Sequence, residues 1–195
     1  MTTNQSLSKP SESVHSFIYG ISEIRPHVFI CGYLALTRGE KFKDLQITHA
    51  IDASNILNTV KMPNVRFLYI KINDDEMSDI KKYFIETSEF IHAAKKAGGK
   101  IVVYCAAGIS RSATLCIMYL VIHENLSLRD AFFEVKNARA GINPNFGFWK
   151  QMIEFETEKC GKSSVNLIEK DQLLIPDVLL NNGNKKQKRK FCSII

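Results

Sequence analysis

Cysteine is sparse and unpatterned in this 195-residue chain: Cys31, Cys105, Cys116, Cys160 and Cys192, an odd number with no paired spacing. That excludes a disulfide framework as the source of stability. No apolar run is long enough to cross a bilayer. Residues 1–16 are rich in Ser, Thr, Asn and Gln and lack the apolar segment of a secretory signal, which predicts a reducing, cytoplasmic setting. No internal repeat is present, and the acidic run at 73–79 has no glycine-pivoted calcium loop around it. The net charge of +6 is a property of the C-terminal end. Lys185, Lys186, Lys188, Arg189 and Lys190 stand there with no acid, leaving 21 basic against 20 acidic side chains in the rest. A nucleic-acid-binding body is therefore not expected.

What is present centres on residues 101–112. Ile101 to Tyr104 are β-branched or aromatic and predict a short buried strand. Cys105 follows, then a small-residue loop, Ala106, Ala107, Gly108, Ile109 and Ser110, then Arg111 and Ser112. The apolar run from Ala113 to Ile122 predicts a buried helix. Backbone N–H groups of such a loop, with the unpaired N–H groups of a first helical turn, form a concave nest for an anion. The same partial positive charge favours a thiolate at Cys105. Arg111 offers a planar fork suited to two phosphate oxygens. A nucleophile beside a phosphate cradle points to phosphoryl transfer onto sulfur. A departing alkoxide or phenoxide then needs a proton from elsewhere. The acidic loop after the strand predicted at Val65 to Ile72 is the natural source, because ligands of open parallel sheets sit beyond the carboxyl ends of the strands.

Cys105, Arg111 and Ser112 at this spacing resemble the signature loop of the cysteine-based protein tyrosine phosphatases. Residues 106–116 are similar to the atypical dual-specificity branch in particular. The similarity runs from about Ile24 to Gly161 and includes the block Asn143-Pro144-Asn145-Phe146-Gly147-Phe148-Trp149. The resemblance implies an α/β fold with a central, mainly parallel twisted sheet of about five strands, flanked by helices on both faces. It implies hydrolysis of phosphotyrosine and phosphoserine/threonine in protein substrates through a phosphocysteine, without metal or other cofactor. Residues Ala106 to Arg111 would bind the phosphate, and Ser112 would stabilise sulfur as it leaves. The family's spacing selects Asp74 as general acid, with Asp75 as runner-up, and Asn145 would support the loop from behind. Two departures stand out. Tyr104 occupies the place of the family's usual histidine, so loop support and thiol activation are expected to be weaker and turnover slower. Arg139-Ala140-Gly141 replaces the usual Arg-Arg-Pro, which weakens any inference about a basic substrate rim. Rival readings are a phosphate-binding pseudophosphatase or adaptor, and a phosphatase of RNA or inositol lipid; the uncharged Ala106 and Ala107 speak against the last two.

Along the chain, residues 1–16 are expected to be a disordered leader, 17–161 the catalytic domain, 162–180 an arm laid along it and 181–195 a polybasic tail. Strands are expected at Tyr19 to Ile24, His27 to Cys31 and Gln46 to Asp52, and a brief helix from Phe42 to Leu45. His49 is expected to be a hydrogen-bonded core residue. A helix with Ile80, Phe84, Thr87, Ile91 and Ala94 inward is expected, capped by Ser78 or Asp79 and stopped at Gly98-Gly99. Ser127 with Asp130 resembles a capping box, and a last helix is expected near Asn145. Cys192, fourth from the end beside the basic run, reads as a prenylation site that would bring peripheral membrane contact. A nuclear-localisation run or a solvated tail are the alternatives. Oligomeric state has no signal in the sequence.

Overall fold

The structure, a computed structural model, describes residues 18–37, 44–57, 59 and 61–180. The leader, the first half of the helix expected at Phe42 to Leu45, and the polybasic tail with Cys192 lie outside the described residues; Asp44 and Leu45 are helical.

Five strands form one sheet in the order β1-β2-β5-β3-β4: β1 (Ile21–Arg25), β2 (Val28–Gly32), β3 (His49–Asp52), β4 (Arg66–Tyr69) and β5 (Ile101–Cys105). Only β1 runs antiparallel, against β2; β2, β5, β3 and β4 are parallel neighbours. β5 is central and wholly buried, which is why its five residues read as an unbroken apolar run. Its side chains alternate between faces. Ile101, Val103 and Cys105 join the larger cluster, whereas Val102 and Tyr104 join the smaller one on the other face.

The helices divide unequally between those faces. The smaller face is covered by the four-residue helix α1 (Tyr33–Leu36), with Met62, Val65 and Phe67 packed beside it. The larger face carries α2 (Phe84–Lys96), α3 (Arg111–His123), α4 (Leu128–Ala138) and α5 (Phe146–Cys160). α3 is buried from Arg111 to Val121, and its neighbours wrap it. Phe84, Ile91 and Ala94 of α2, Leu128, Phe132 and Val135 of α4, and Phe148, Trp149 and Met152 of α5 turn inward at helical spacing. The Phe132 and Trp149 rings meet edge to face with centroids 5.0 Å apart.

Several boundaries differ from expectation. β3 begins at His49, not Gln46, because Gln46 takes φ +55° and breaks the extended chain. α2 opens through a short 3-10 turn, Lys81–Tyr83, whose N-cap residue is Ile80; of the two expected caps Asp79 takes part, its Oδ1 accepting from Lys82 N at 3.4 Å, and Ser78 does not. The Ile80 and Lys81 N–H groups donate instead to Gln151 Oε1 of α5, each at 2.8 Å. Gly98, at φ +70°, ends α2 as expected. Ser127 does cap α4, accepting from Asp130 N at 3.1 Å while its hydroxyl donates to Asp130 Oδ2 at 2.8 Å. His49 is a core residue, its Nδ1 2.8 Å from Thr48 Oγ1 and its ring edge-on to Phe90. Residues 162–180 fold into a hairpin, β6 (Leu167–Lys170) with β7 (Leu173–Pro176), and a closing 3-10 turn.

Candidate active site

The carboxyl ends of β2, β5, β3 and β4 lie along one edge of the sheet, and every predicted catalytic residue sits there or in a loop leaving it. Cys105 is the last residue of β5 and Arg111 the first of α3. The loop between them seats on the end of β2. A Cβ on Gly108 would come 2.5 Å from the Cys31 backbone carbon, and Gly108 has φ +71°, so only glycine fits.

Cys105 lies at the floor of this loop. Its Sγ accepts from Gly108 N at 3.2 Å and lies 3.2 Å from Ser112 Oγ, the contact expected of a group that stabilises departing sulfur. The N–H groups of Ala106, Ala107 and Ile109 have no acceptor among the described residues, whereas the loop's carbonyls are tied rearward. Ala106 O accepts from Tyr33 N (3.1 Å), Ile109 O from Asn143 N (2.9 Å), and Ser110 O from Thr114 N (2.8 Å) and Thr114 Oγ1 (2.9 Å). With carbonyls held behind, the donors face forward, which is the arrangement an oxyanion needs.

Arg111 is buried, its Nη1 donating to Ser54 O (2.8 Å) and Ile72 O (3.3 Å), the carbonyls beyond the ends of β3 and β4. Those anchors fix the guanidinium at the rim of the loop. The acid loop closes over it. Asp74 Oδ2 lies 3.4 Å from Arg111 Nε, and Asp74 Oδ1 accepts from Ser110 Oγ at 2.6 Å and from Asn145 Nδ2 at 2.9 Å. Asp75 points away and organises its own turn through Met77 N and Ser78 Oγ, both at 3.0 Å. Between the two acids, the structure therefore brings Asp74 to the cysteine loop.

Two expected supports are placed differently. Asn145 does not brace the loop with its side chain. As the N-cap of α5, its Oδ1 accepts from Phe148 N (3.0 Å) and its Nδ2 holds Asp74, while only its backbone N–H reaches the loop, at Ser110 Oγ (3.1 Å). Tyr104 turns to the opposite face of β5 from Cys105, in register with Asp52 of β3, and its hydroxyl is buried without a hydrogen-bond partner among the described residues. Burial, followed by the charge of Asp52, pushes the Tyr104 phenol up from its ordinary value, so it stays neutral.

The residue that sequence reasoning missed is Arg139. It projects no basic rim: it is buried, with Nε donating to Gly108 O (2.8 Å), Nη2 to Ala107 O (3.1 Å) and Nη1 to Gly20 O (3.2 Å). The thiols nearest the site in chemistry, Cys31 and Cys116, are fully buried and pushed up by that burial, which keeps them protonated and inert.

The sequence model of the dual specificity phosphatase catalytic domain matches residues 28–158. Human dual specificity protein phosphatase 14 is 35% identical over 183 residues, covering 91% of this chain and 89% of that protein. Human dual specificity protein phosphatase 18 is 30% identical, over 90% of this chain and 94% of its own length. The crystal structure of human DUSP28 superposes with a TM-score of 0.68 at 32% identity, covering 71% of this chain and 94% of that one.

Proposed function

Because the chain belongs to the dual specificity phosphatase catalytic-domain family, it is a cysteine-dependent protein phosphatase working through a phosphocysteine, and we propose that Cys105, Arg111, Asp74 and Ser112 carry its reaction. The substrates are phosphorylated proteins. The observation that carries the residue assignment is the meeting of two loops: the one after β5, which brings its N–H groups and the anchored Arg111 around Cys105, and the acid loop, which brings Asp74 to Arg111 and Ser110.

In the first step the Cys105 thiolate attacks phosphorus in line. The loop N–H groups and Arg111 hold the equatorial oxygens, whose negative charge grows in the transition state. The incoming phosphate monoanion displaces the Asp74 carboxylate from Arg111 and Ser110; Asp74 takes up the proton the phosphate brings and gives it to the departing oxygen. In the second step Asp74 takes a proton from water as that water attacks the phosphocysteine. The Ser112 hydroxyl, 3.2 Å from Sγ, donates to sulfur as the thiolate is released. Phosphate leaves and the thiolate is restored.

Hydrolysis of an aryl phosphate tests the assignment. Cys105→Ser abolishes turnover, and Asp74→Ala lowers kcat by roughly 100-fold while leaving binding of inorganic phosphate intact or tighter, since a competing carboxylate is gone. Wild-type rates in either variant contradict it. The tail adds a second part to the proposal: a lipid on Cys192 and the adjacent basic run together would hold a cytoplasmic enzyme at an anionic membrane, since one lipid chain alone binds only marginally. An unchanged membrane fraction in Cys192→Ser rules that out.

A further inference from the structure

Three of the hydrogen bonds described above have a common consequence. A peptide unit is planar and trans, so its carbonyl and its following N–H point in opposite directions. Fixing the Ala107 carbonyl rearward aims Gly108 N–H forward, where it donates to Cys105 Sγ at 3.2 Å. Fixing the Gly108 carbonyl rearward aims Ile109 N–H forward, and that group has no acceptor among the described residues. Both carbonyls are fixed by one side chain, the guanidinium of Arg139, through Nε and Nη2. The fork also carries charge. Burial lowers the affinity of Arg139 for its proton but a guanidinium stays charged at neutral pH, and that charge is within electrostatic reach of Cys105. Ser112 of α3 lies 3.2 Å from Cys105 Sγ, and Cys116 of α3, Cys31 on the opposite face of the sheet and Arg139 beyond α4 are within electrostatic reach of it, while Arg111 and Asp74 pair with each other at the rim of the loop. Tyr104, where the family has an ionisable histidine, contributes no positive charge.

Resting on the phosphatase reading, we propose that Arg139 is a positioning residue of the reaction: it clamps the Ala107 and Gly108 carbonyls so that the following N–H groups face sulfur and phosphate, and it supplies the buried positive charge behind Cys105 that Tyr104 does not. A lysine cannot reproduce the fork, because one ammonium on a flexible stem does not hold two carbonyls in a fixed plane. Its charge, however, would remain.

The test uses the full-length protein, with folding of each variant checked by circular dichroism. The pH midpoint of iodoacetamide alkylation at Cys105 is read by mass spectrometry of its peptide, beside kcat and KM for an aryl phosphate. Arg139→Met should raise the alkylation midpoint by about one pH unit and lower kcat roughly 100-fold. Arg139→Lys should keep the midpoint near wild type and lose about tenfold in kcat, separating charge from geometry. A merely structural arginine would leave both quantities unchanged per folded molecule in Arg139→Met, and that result overturns the proposal. If Arg139→Met does not fold, Arg139→Lys decides: wild-type kcat there overturns the positioning role, and a tenfold loss at unchanged midpoint supports it. Alkylation needs no turnover. Absence of hydrolysis in the wild type would therefore sink the phosphatase reading, while the alkylation profiles still report on Arg139.

Discussion

Tyr104 and Cys105 are adjacent in sequence and face opposite sides of β5, so any influence of residue 104 on the thiol passes through the strand and not through contact. The phenol beside Asp52 is neutral, whereas the negative charge of that carboxylate would favour the imidazolium form of a histidine in its place. Tyr104→His therefore adds a positive charge one residue from the nucleophile. It should raise kcat/KM by about tenfold at mildly acid pH, with a smaller gain as the imidazolium deprotonates. Superimposable pH–rate profiles for the two proteins would exclude this. Cys105 and Arg111 could be proposed from their chemistry and spacing in the sequence, whereas the role of Ser112 and the choice of Asp74 over Asp75 needed the family resemblance. Arg139 was not legible as a clamp. Its partners are backbone carbonyls, which leave no trace in the identity of the residues that carry them.

At the level of elements, periodicity located the helices, and long-range partners decided how they begin. Gln151, two turns into α5, satisfies the N–H groups opening the turn before α2, a partner no local cap pattern can reveal. Glu156 is a stronger case. It lies among the buried residues of α5, where a carboxylate has no apolar reason to be. The structure supplies the reason: fully buried, it accepts from Leu128 N (2.7 Å) at the start of α4, and from Ser163 Oγ (2.8 Å) and Ser164 N (2.7 Å) just beyond α5. It thus joins α4, α5 and the segment leading to the hairpin. Glu156→Ala strands these donors and should cost about 3 kcal/mol in urea unfolding. A loss below roughly 0.5 kcal/mol would mean the donors find other partners. The hairpin itself escaped the sequence because its residues alternate poorly: Leu173 and Leu174 are consecutive and both exposed.

Across the whole molecule, the catalytic edge of the sheet is opposed by a histidine-bearing end. The His92 and His123 rings stack with centroids 4.3 Å apart, and His27 Nε2 lies 2.9 Å from Tyr119 Oη. Burial first, then the charge of Lys95, lowers His27; burial, then His92, lowers His123, against the opposing pull of Glu89 and Glu124; burial, then Arg66, lowers His49. Each is neutral in the fold and protonates more easily when unfolded. The stability they allow is complete above the unfolded value near 6.5 and is lost as pH falls through it toward the lower folded values. Tm should therefore drop between pH 7.5 and pH 5.5, and His123→Gln should flatten that slope; an equal slope in the variant would assign it to other groups. The sheet order sets the loop after β5 and the acid loop on one edge, where Cys105, Arg111 and Asp74 come together for the proposed transfer of a phosphoryl group to sulfur. Rapid acid quench during turnover of a labelled aryl phosphate reads that directly. The account predicts label on the Cys105 peptide within the first turnover, with more retained in Asp74→Asn, where the water has lost its base. Turnover without label at Cys105, or label on another residue, would contradict it.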